Sequence, residues 1–384
     1  MKVGITCYPT YGGSGIVATE LGLELANRGH DIHFISYAHP IRLDPGIPRI
    51  HYHEVEVSNY PLFHYPPYCL ALASRMTEVA QSYSLDLLHV HYAIPHSIAA
   101  LLAQQMLAPE RRVPFITTLH GTDITLVGVD RSYFPITKFS IEQSNGITGI
   151  SEFIRKRTEE VFRVRNEIRV INNFVNLETY KPAAEKTGAR RFAPAGEKLL
   201  IHVSNFRPVK RVLDCIHILA GVRKKIPAHL LMVGDGPDRG PAEYMARELG
   251  VGESVSFLGK QDHVERLLPL AHVLLMPSEL EAFGLAALEA MACGVPPIGT
   301  NAGGVPELIT HGVDGFIEEV GDVAAQAARV IELLSGDKLH QRMAGAARKT
   351  AETRFSTEAI IPQYERYYEQ VCGGRAAGTP ATSR

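Results

Sequence analysis

The sequence predicts an α/β protein of two doubly wound domains, and three observations carry that prediction. Short apolar strand patterns alternate with helical patterns along the chain, the signature of parallel strands joined by crossover helices. The alternation fades once, over residues 176–196, and then resumes. At 384 residues the chain exceeds what a single ordinary core accommodates.

In the first series the strand patterns are residues 3–6, 32–35, 51–57, 87–91, 115–119, 146–150 and 168–171. The loop after the first strand, Tyr8-Pro-Thr-Tyr-Gly-Gly-Ser-Gly15, opens a helix over residues 16–28 with apolar Ile16, Val17, Leu21 and Leu25. Gly13-Ser-Gly-Ile-Val-Ala18 matches the G-x-G-x-x-A dinucleotide fingerprint. The next strand ends in Ser36-Tyr37-Ala38, however, with no acidic residue for a ribose 2′-hydroxyl, which argues against NAD. What remains is a glycine loop whose amides at Gly13 let ligand oxygens approach, with the Ser14 hydroxyl beside them. In doubly wound sheets ligands gather beyond the carboxyl ends of the strands. That rule selects Ser14, Tyr92, Thr118 and His120 as one convergent group.

The stretch 176–196, rich in small and charged residues, reads as a linker between domains 1–175 and 197–354. The second series has strands at residues 199–203, 230–233, 255–258, 273–276, 297–299 and 315–318. Its first strand leads to Ser204-Asn-Phe-Arg-Pro-Val-Lys210, where Arg207 as a planar fork and Lys210 as a point charge suit a diphosphate. Basic residues at a helix start oppose the helix dipole, so their placement favours an anionic ligand. Its fourth strand leads to Ser278-Glu-Leu-Glu-Ala-Phe-Gly-Leu285 and a helix closing at Gly294. Amides near Gly284 and Leu285 lack intrahelical partners and attract phosphate. Glu281 and Glu289, with seven residues between them, offer acceptors to hydroxyls, although glutamates on a surface helix are ordinarily just solvated. Helical patterns at 322–334, 338–354 and 357–371 follow, and residues 373–384 read as a disordered tail.

Composition narrows the function classes. Hydrophobic residues make up 45% and charged residues 21%, with a net charge of −2, so no basic field exists for nucleic acid or stable membrane association. Small-molecule partners are expected, and homo-oligomerisation is left open. Residues 87–109 carry no Asp, Glu, Lys or Arg, but His89, His91, Pro95, His96 and two glutamines argue against a membrane span. With a strand pattern at residues 3–6 and no leader pattern before it, a cytoplasmic location is expected. Five scattered cysteines without a C-x-x-C pair argue against zinc and a disulfide framework.

Glu281-x7-Glu289, Gly303-Gly-Val-Pro-Glu307, the S-x-x-R-x-x-K pattern of Ser204 to Lys210 and His120-Gly-Thr-Asp123 together resemble the retaining glycosyltransferases of family 4. The resemblance implies the GT-B architecture, two Rossmann-like domains facing each other across a cleft, with a C-terminal helix (355–372) crossing back to the N-terminal domain. It also implies a nucleotide-sugar donor held by Gly13, Arg207, Lys210, Gly259, Glu281, Phe283, Gly284, Leu285 and Glu289. His120, Arg207, Lys210 and Glu281 then carry the catalytic roles, with His120 touching the sugar. Gly4-Ile-Thr-Cys-Tyr-Pro9, Tyr65-Pro-Pro-Tyr68, His91-Tyr-Ala-Ile-Pro-His96 and His202-Val-Ser-Asn-Phe-Arg207 are similar to the bacillithiol-pathway members of that family. That narrower likeness implies UDP-N-acetylglucosamine as donor and L-malate as acceptor, with Ser14, Tyr92, Thr118 and Arg207 on the malate. No Asp-x-Asp metal motif occurs, so neither a metal nor another cofactor is expected. An inositol phosphate or lipid-linked acceptor, or a binding protein that does not react, are the alternatives.

Overall fold

The computed structural model describes residues 1–373 apart from Tyr11, Asp44, Pro45, Asn59, Tyr60, Glu185 and Ala195. The tail expectation therefore lies outside the described residues beyond Gly373. The chain divides into two compact units, Met1–Asn172 with the C-terminal segment from Ile360, and Asn173–Ala359.

The first unit holds a sheet of β1 (Lys2–Thr6), β2 (Asp31–Ser36), β3 (Ile50–Glu54), β4 (Leu87–His91), β5 (Phe115–Leu119), β6 (Gly146–Gly149) and β7 (Arg169–Val170). Their order is β3-β2-β1-β4-β5-β6-β7, with every neighbouring pair parallel. Chain direction across the sheet reverses between β1 and β4, the position where such folds bind ligands. β4 and β5 are buried along their whole length, as central strands covered on both faces must be. On one face the helices Tyr68–Tyr83 and Ile98–Met106 close a core of Leu72, Met76, Leu88, Val90 and Phe115. On the other lies the last helix, Thr357–Gly373, whose Tyr368 hydroxyl meets His89 Nδ1 at 2.6 Å. Tyr367 of the same helix accepts the Ile147 amide at 2.9 Å.

The second unit holds β8 (Lys198–Val203), β9 (Ala228–Val233), β10 (Val255–Gly259), β11 (Val273–Leu275), β12 (Pro297–Thr300) and β13 (Phe316–Glu318). The order β10-β9-β8-β11-β12-β13 repeats the same winding, again all parallel. Its core gathers Leu200, Ile216, Leu219, Leu230, Leu275 and Val330.

One expectation needs correction. Residues 176–196 are not a free linker. They belong to the second unit, where Tyr180 is buried and Lys186–Arg191 forms a short 3-10 helix. Fading periodicity marked the absence of long helices and strands there, not the absence of packing. Residues 87–106 fold as β4, a kinked turn Ala93–Ser97 in which Ile94 is extended, and the helix Ile98–Met106. Among the described residues no helix is long and apolar enough to cross a membrane.

Candidate functional site

In the second unit the carboxyl ends of β8, β9 and β10 interlock. His202 donates from Nδ1 to the Leu275 carbonyl at 2.9 Å, so its Nε2 must accept the Ser204 hydroxyl at 2.7 Å. Burial lowers the His202 pKa to about 4, which keeps that arrangement neutral. Ser204 Oγ in turn accepts the Phe206 amide at 3.2 Å, and Phe206 is fully buried with φ of +30°. Gly234 and Gly236 pack so closely that added Cβ atoms would lie 1.7 Å from Ser204 O and 2.5 Å from Asn205 O. Gly259, with φ of +67°, receives the Gly234 amide on its carbonyl at 2.8 Å. The result is a rigid shelf carrying exposed Arg207 and the turn Pro208–Lys210, just ahead of the helix Val212–Arg223.

Lys210 Nζ lies 2.6 Å from Glu281 Oε1, and Ser278 Oγ donates to the same oxygen at 2.9 Å. The two ionic side chains are 21% and 14% exposed, a partly desolvated pair beside the start of the helix Leu285–Ala292. Gly284 precedes that helix at φ of +100°, a conformation L side chains resist. From the loop after β12, the Gly304 amide donates to Glu281 O at 2.8 Å, and a Cβ on Gly303 would come within 1.9 Å of that oxygen. Glu281 is thus clamped by both backbone and side chain. Leu285 opens the helix, and Glu289 is buried within it, its Oε1 accepting the Tyr180 hydroxyl at 2.7 Å. The Phe283 ring is 1% exposed and packs edge-on to Phe355 at 5.5 Å, so what this position offers a donor is its backbone.

In the first unit, the helix Gly13–Asn27 starts in the glycine loop, with Gly13 exposed and Ser14 half-buried. Gly15 is needed there, since a Cβ would lie 2.5 Å from Tyr8 O. Tyr92, at φ of +87°, stacks on His120 with centroids 5.6 Å apart and meets Tyr8 edge-on at 5.2 Å. His120 Nε2 hydrogen-bonds His91 Nδ1 at 2.8 Å, and burial lowers its pKa to about 3. Asp123 ties the turn together by accepting the amides of Ala93, His120 and Gly121. Burial still pushes its carboxyl up to about 6, outweighing those amides.

Thr118 does not join this group. Its hydroxyl is fully buried between His89 Nε2 and Thr148 Oγ1, each at 2.6 Å. Strand alternation turns it into the face that the last helix covers, so its hydroxyl is taken up inside the first unit and not at the strand-end group. Sequence reasoning missed Asp123, Ser278, His202 and Tyr180 as site residues. Asp123 had a signal, standing three residues after His120 in a turn pattern, whereas Tyr180 lies 109 residues from Glu289 and had none. Among the described residues no group of three or more His, Cys, Asp or Glu is placed to hold a metal ion. Cys7, near the glycine loop, has its thiol pushed up to about 12 by burial, which suppresses thiolate chemistry.

Comparison with known proteins agrees with this geometry. The family model described as Glycosyltransferase Family 4 matches residues 11–179, and that described as Glycosyl transferases group 1 matches residues 185–350. The chain is 47% identical over 372 residues to N-acetyl-alpha-D-glucosaminyl L-malate synthase of Bacillus anthracis, covering 97% of each protein. A D-inositol 3-phosphate glycosyltransferase of Thermobispora bispora is 29% identical, over 71% of this chain and 68% of that one. Among solved structures, sucrose-phosphate synthase from Thermosynechococcus elongatus superposes with a TM-score of 0.80 at 21% identity, covering 97% of this chain and 99% of that one. Anabaena HepE in complex with UDP and glucose gives 0.79 at 19% identity, covering 95% and 98%. The two structures share the GT-B fold with this chain.

Proposed function

The chain belongs to the glycosyltransferases of family 4, and from that premise we propose that it moves N-acetylglucosamine from UDP-N-acetylglucosamine to the hydroxyl of L-malate. The products are N-acetylglucosaminyl malate and UDP. The observation that carries this reading is the 47% identity to the malate synthase across 97% of both chains. A likeness of that extent takes in both sheets, not the donor-binding half alone.

The residues fit such a reaction as follows. Arg207 and Lys210 neutralise the diphosphate, with help from the amides at the start of the Leu285–Ala292 helix, where charge grows as UDP departs. Before the donor arrives Lys210 rests on Glu281, so phosphate binding exchanges one anion for another at its ammonium. Glu281, held by Ser278 and the Gly304 amide, then accepts hydroxyls of the transferred sugar, and His120 supports that sugar as a neutral imidazole. Glu289 accepts the ribose hydroxyls and Gly259 lies along the uracil. Ser14 and Tyr92 bind malate. Retention at the anomeric carbon, a cytoplasmic location and independence from metal belong to the same proposal; in it, cationic side chains supply the charge a metal would otherwise bring.

The test is UDP release from UDP-N-acetylglucosamine in EDTA, with L-malate, with D-inositol 3-phosphate and with no acceptor. Release that requires malate supports the reading. Release with inositol phosphate alone reassigns the acceptor, and equal release without any acceptor means the sugar passes to water and removes malate from the reaction.

A further inference from the structure

Glu289 occupies the fifth position of the helix Leu285–Ala292 and is 7% exposed. Its Oε1 accepts the hydroxyl of Tyr180, itself 4% exposed. Tyr180 is fixed along its backbone as well. Its amide donates to Asn176 O at 2.9 Å, and its carbonyl accepts Arg348 Nη1 at 2.8 Å. The same guanidinium nitrogen donates at 2.7 Å to the carbonyl of Ala292, the last residue of the Glu289 helix. Two residues on, Pro182 stands where a Cβ added at Gly294 would meet its ring at 3.5 Å. The phenol is therefore a strut with one end on the carboxylate and the other tied to that carboxylate's own helix.

A carboxylate has two oxygens and lone pairs for about four donors, and its plane decides where they point. A vicinal diol needs two of them at defined angles. An unrestrained glutamate would have to be ordered each time a ligand bound, and the strut removes that penalty beforehand. We propose that Tyr180 is a positioning residue that gives the donor site its preference for ribose over deoxyribose, by holding Glu289 in the orientation that meets the 2′ and 3′ hydroxyls. This rests on the donor reading above, in which Glu289 takes the ribose.

The test is isothermal titration calorimetry with UDP, 2′-deoxy-UDP and 3′-deoxy-UDP. A site built to hydrogen-bond a hydroxyl rejects the analogue lacking it, so the wild type should prefer UDP by about tenfold or more over at least one analogue. Tyr180→Phe should shrink that preference to within about threefold, while affinity for pyrophosphate stays unchanged. Glu289→Gln should also lose the preference, and adding Tyr180→Phe to it should change nothing more. This pair leaves no buried carboxylate without its phenol, so it serves if the single tyrosine variant folds poorly. Full discrimination surviving in Tyr180→Phe overturns the inference alone, whereas full discrimination surviving in Glu289→Gln overturns it together with the assignment of Glu289 to the ribose. A further loss in the double variant would put Tyr180 on the ribose directly and overturn the positioning role. A wild type that binds no UDP overturns the donor reading and this inference together.

Discussion

Lys210 and Glu281 form a partly desolvated ion pair, and in the proposed reaction both turn to the donor. Lys210→Ala removes a cation aimed at the leaving diphosphate, and loss of one such preorganised group lowers kcat by about 10² to 10³. The expected signature is a fall in kcat larger than any rise in donor KM, read from initial rates of UDP release; an unchanged kcat would remove Lys210 from the transition state. Thr118 gives the opposite kind of prediction. Thr118→Val leaves His89 and Thr148 without their shared hydroxyl, a loss of about 1–3 kcal/mol in unfolding free energy, yet malate KM should not change. A raised malate KM in a fully folded variant would restore Thr118 to the acceptor group. These residues also show where sequence reading stops. The strand-end rule located β5 correctly but is silent on which face of it the last helix covers, and Thr118 points to that face. Phe283 adjoins a ligand-type glycine in sequence, but a benzyl side chain with a core within reach goes there.

Elements were more legible than side chains. Every strand pattern of both series appears in the structure, because short apolar runs bounded by turn residues leave a parallel sheet few other ways to form. The helix at Leu285 and its glycine boundaries were equally readable. The segment 176–196 was not, since its role depends on Tyr180 meeting a helix more than a hundred positions away. Two element-scale outcomes follow. Gly303→Ala places a methyl group against the Glu281 carbonyl at a positive φ, and should weaken UDP binding severalfold in calorimetry without touching the first unit. Wild-type affinity in that variant would show that the loop after β12 does not clamp the donor site. Ending the chain at Ser356 strips Ile360, Ile361, Tyr364 and Tyr368 from the first unit, each worth about 1.5–3 kcal/mol of burial. That sum rivals the whole stability of a domain, so the truncated protein should be insoluble or melt far lower in scanning fluorimetry.

At the scale of the whole molecule, buried histidines set the response to acid. Burial lowers His89 and His120 to about 3, His96 and His202 to about 4, and His91 well below its ordinary value near 6.5. Between those folded values and 6.5 the unfolded chain binds protons that the folded chain refuses. The stability these groups confer is therefore complete above pH 6.5 and lost as pH falls, each at up to about 1.4 kcal/mol per pH unit. Asp123, raised to about 6, runs the other way: its burial penalty is present above pH 6 and relieved below it. One carboxyl does not offset five imidazoles, so Tm should drop by several degrees between pH 7.5 and pH 5.5. A Tm that holds or rises over that interval would mean the histidines are protonated in the fold. Neither sheet alone reveals this behaviour, because the histidines come from β4, β8 and the loops between elements, and only folding buries them.

The claim most exposed to a single result is that this chain joins N-acetylglucosamine to malate. The direct measurement is mass spectrometry of the products from UDP-N-acetylglucosamine and L-malate in EDTA, beside a Glu281→Gln control. The account predicts N-acetylglucosaminyl malate and UDP in equal amounts, sharply reduced in the control. Intact UDP-N-acetylglucosamine with malate unmodified would contradict it, leaving the family and fold in place and both substrates to be found anew.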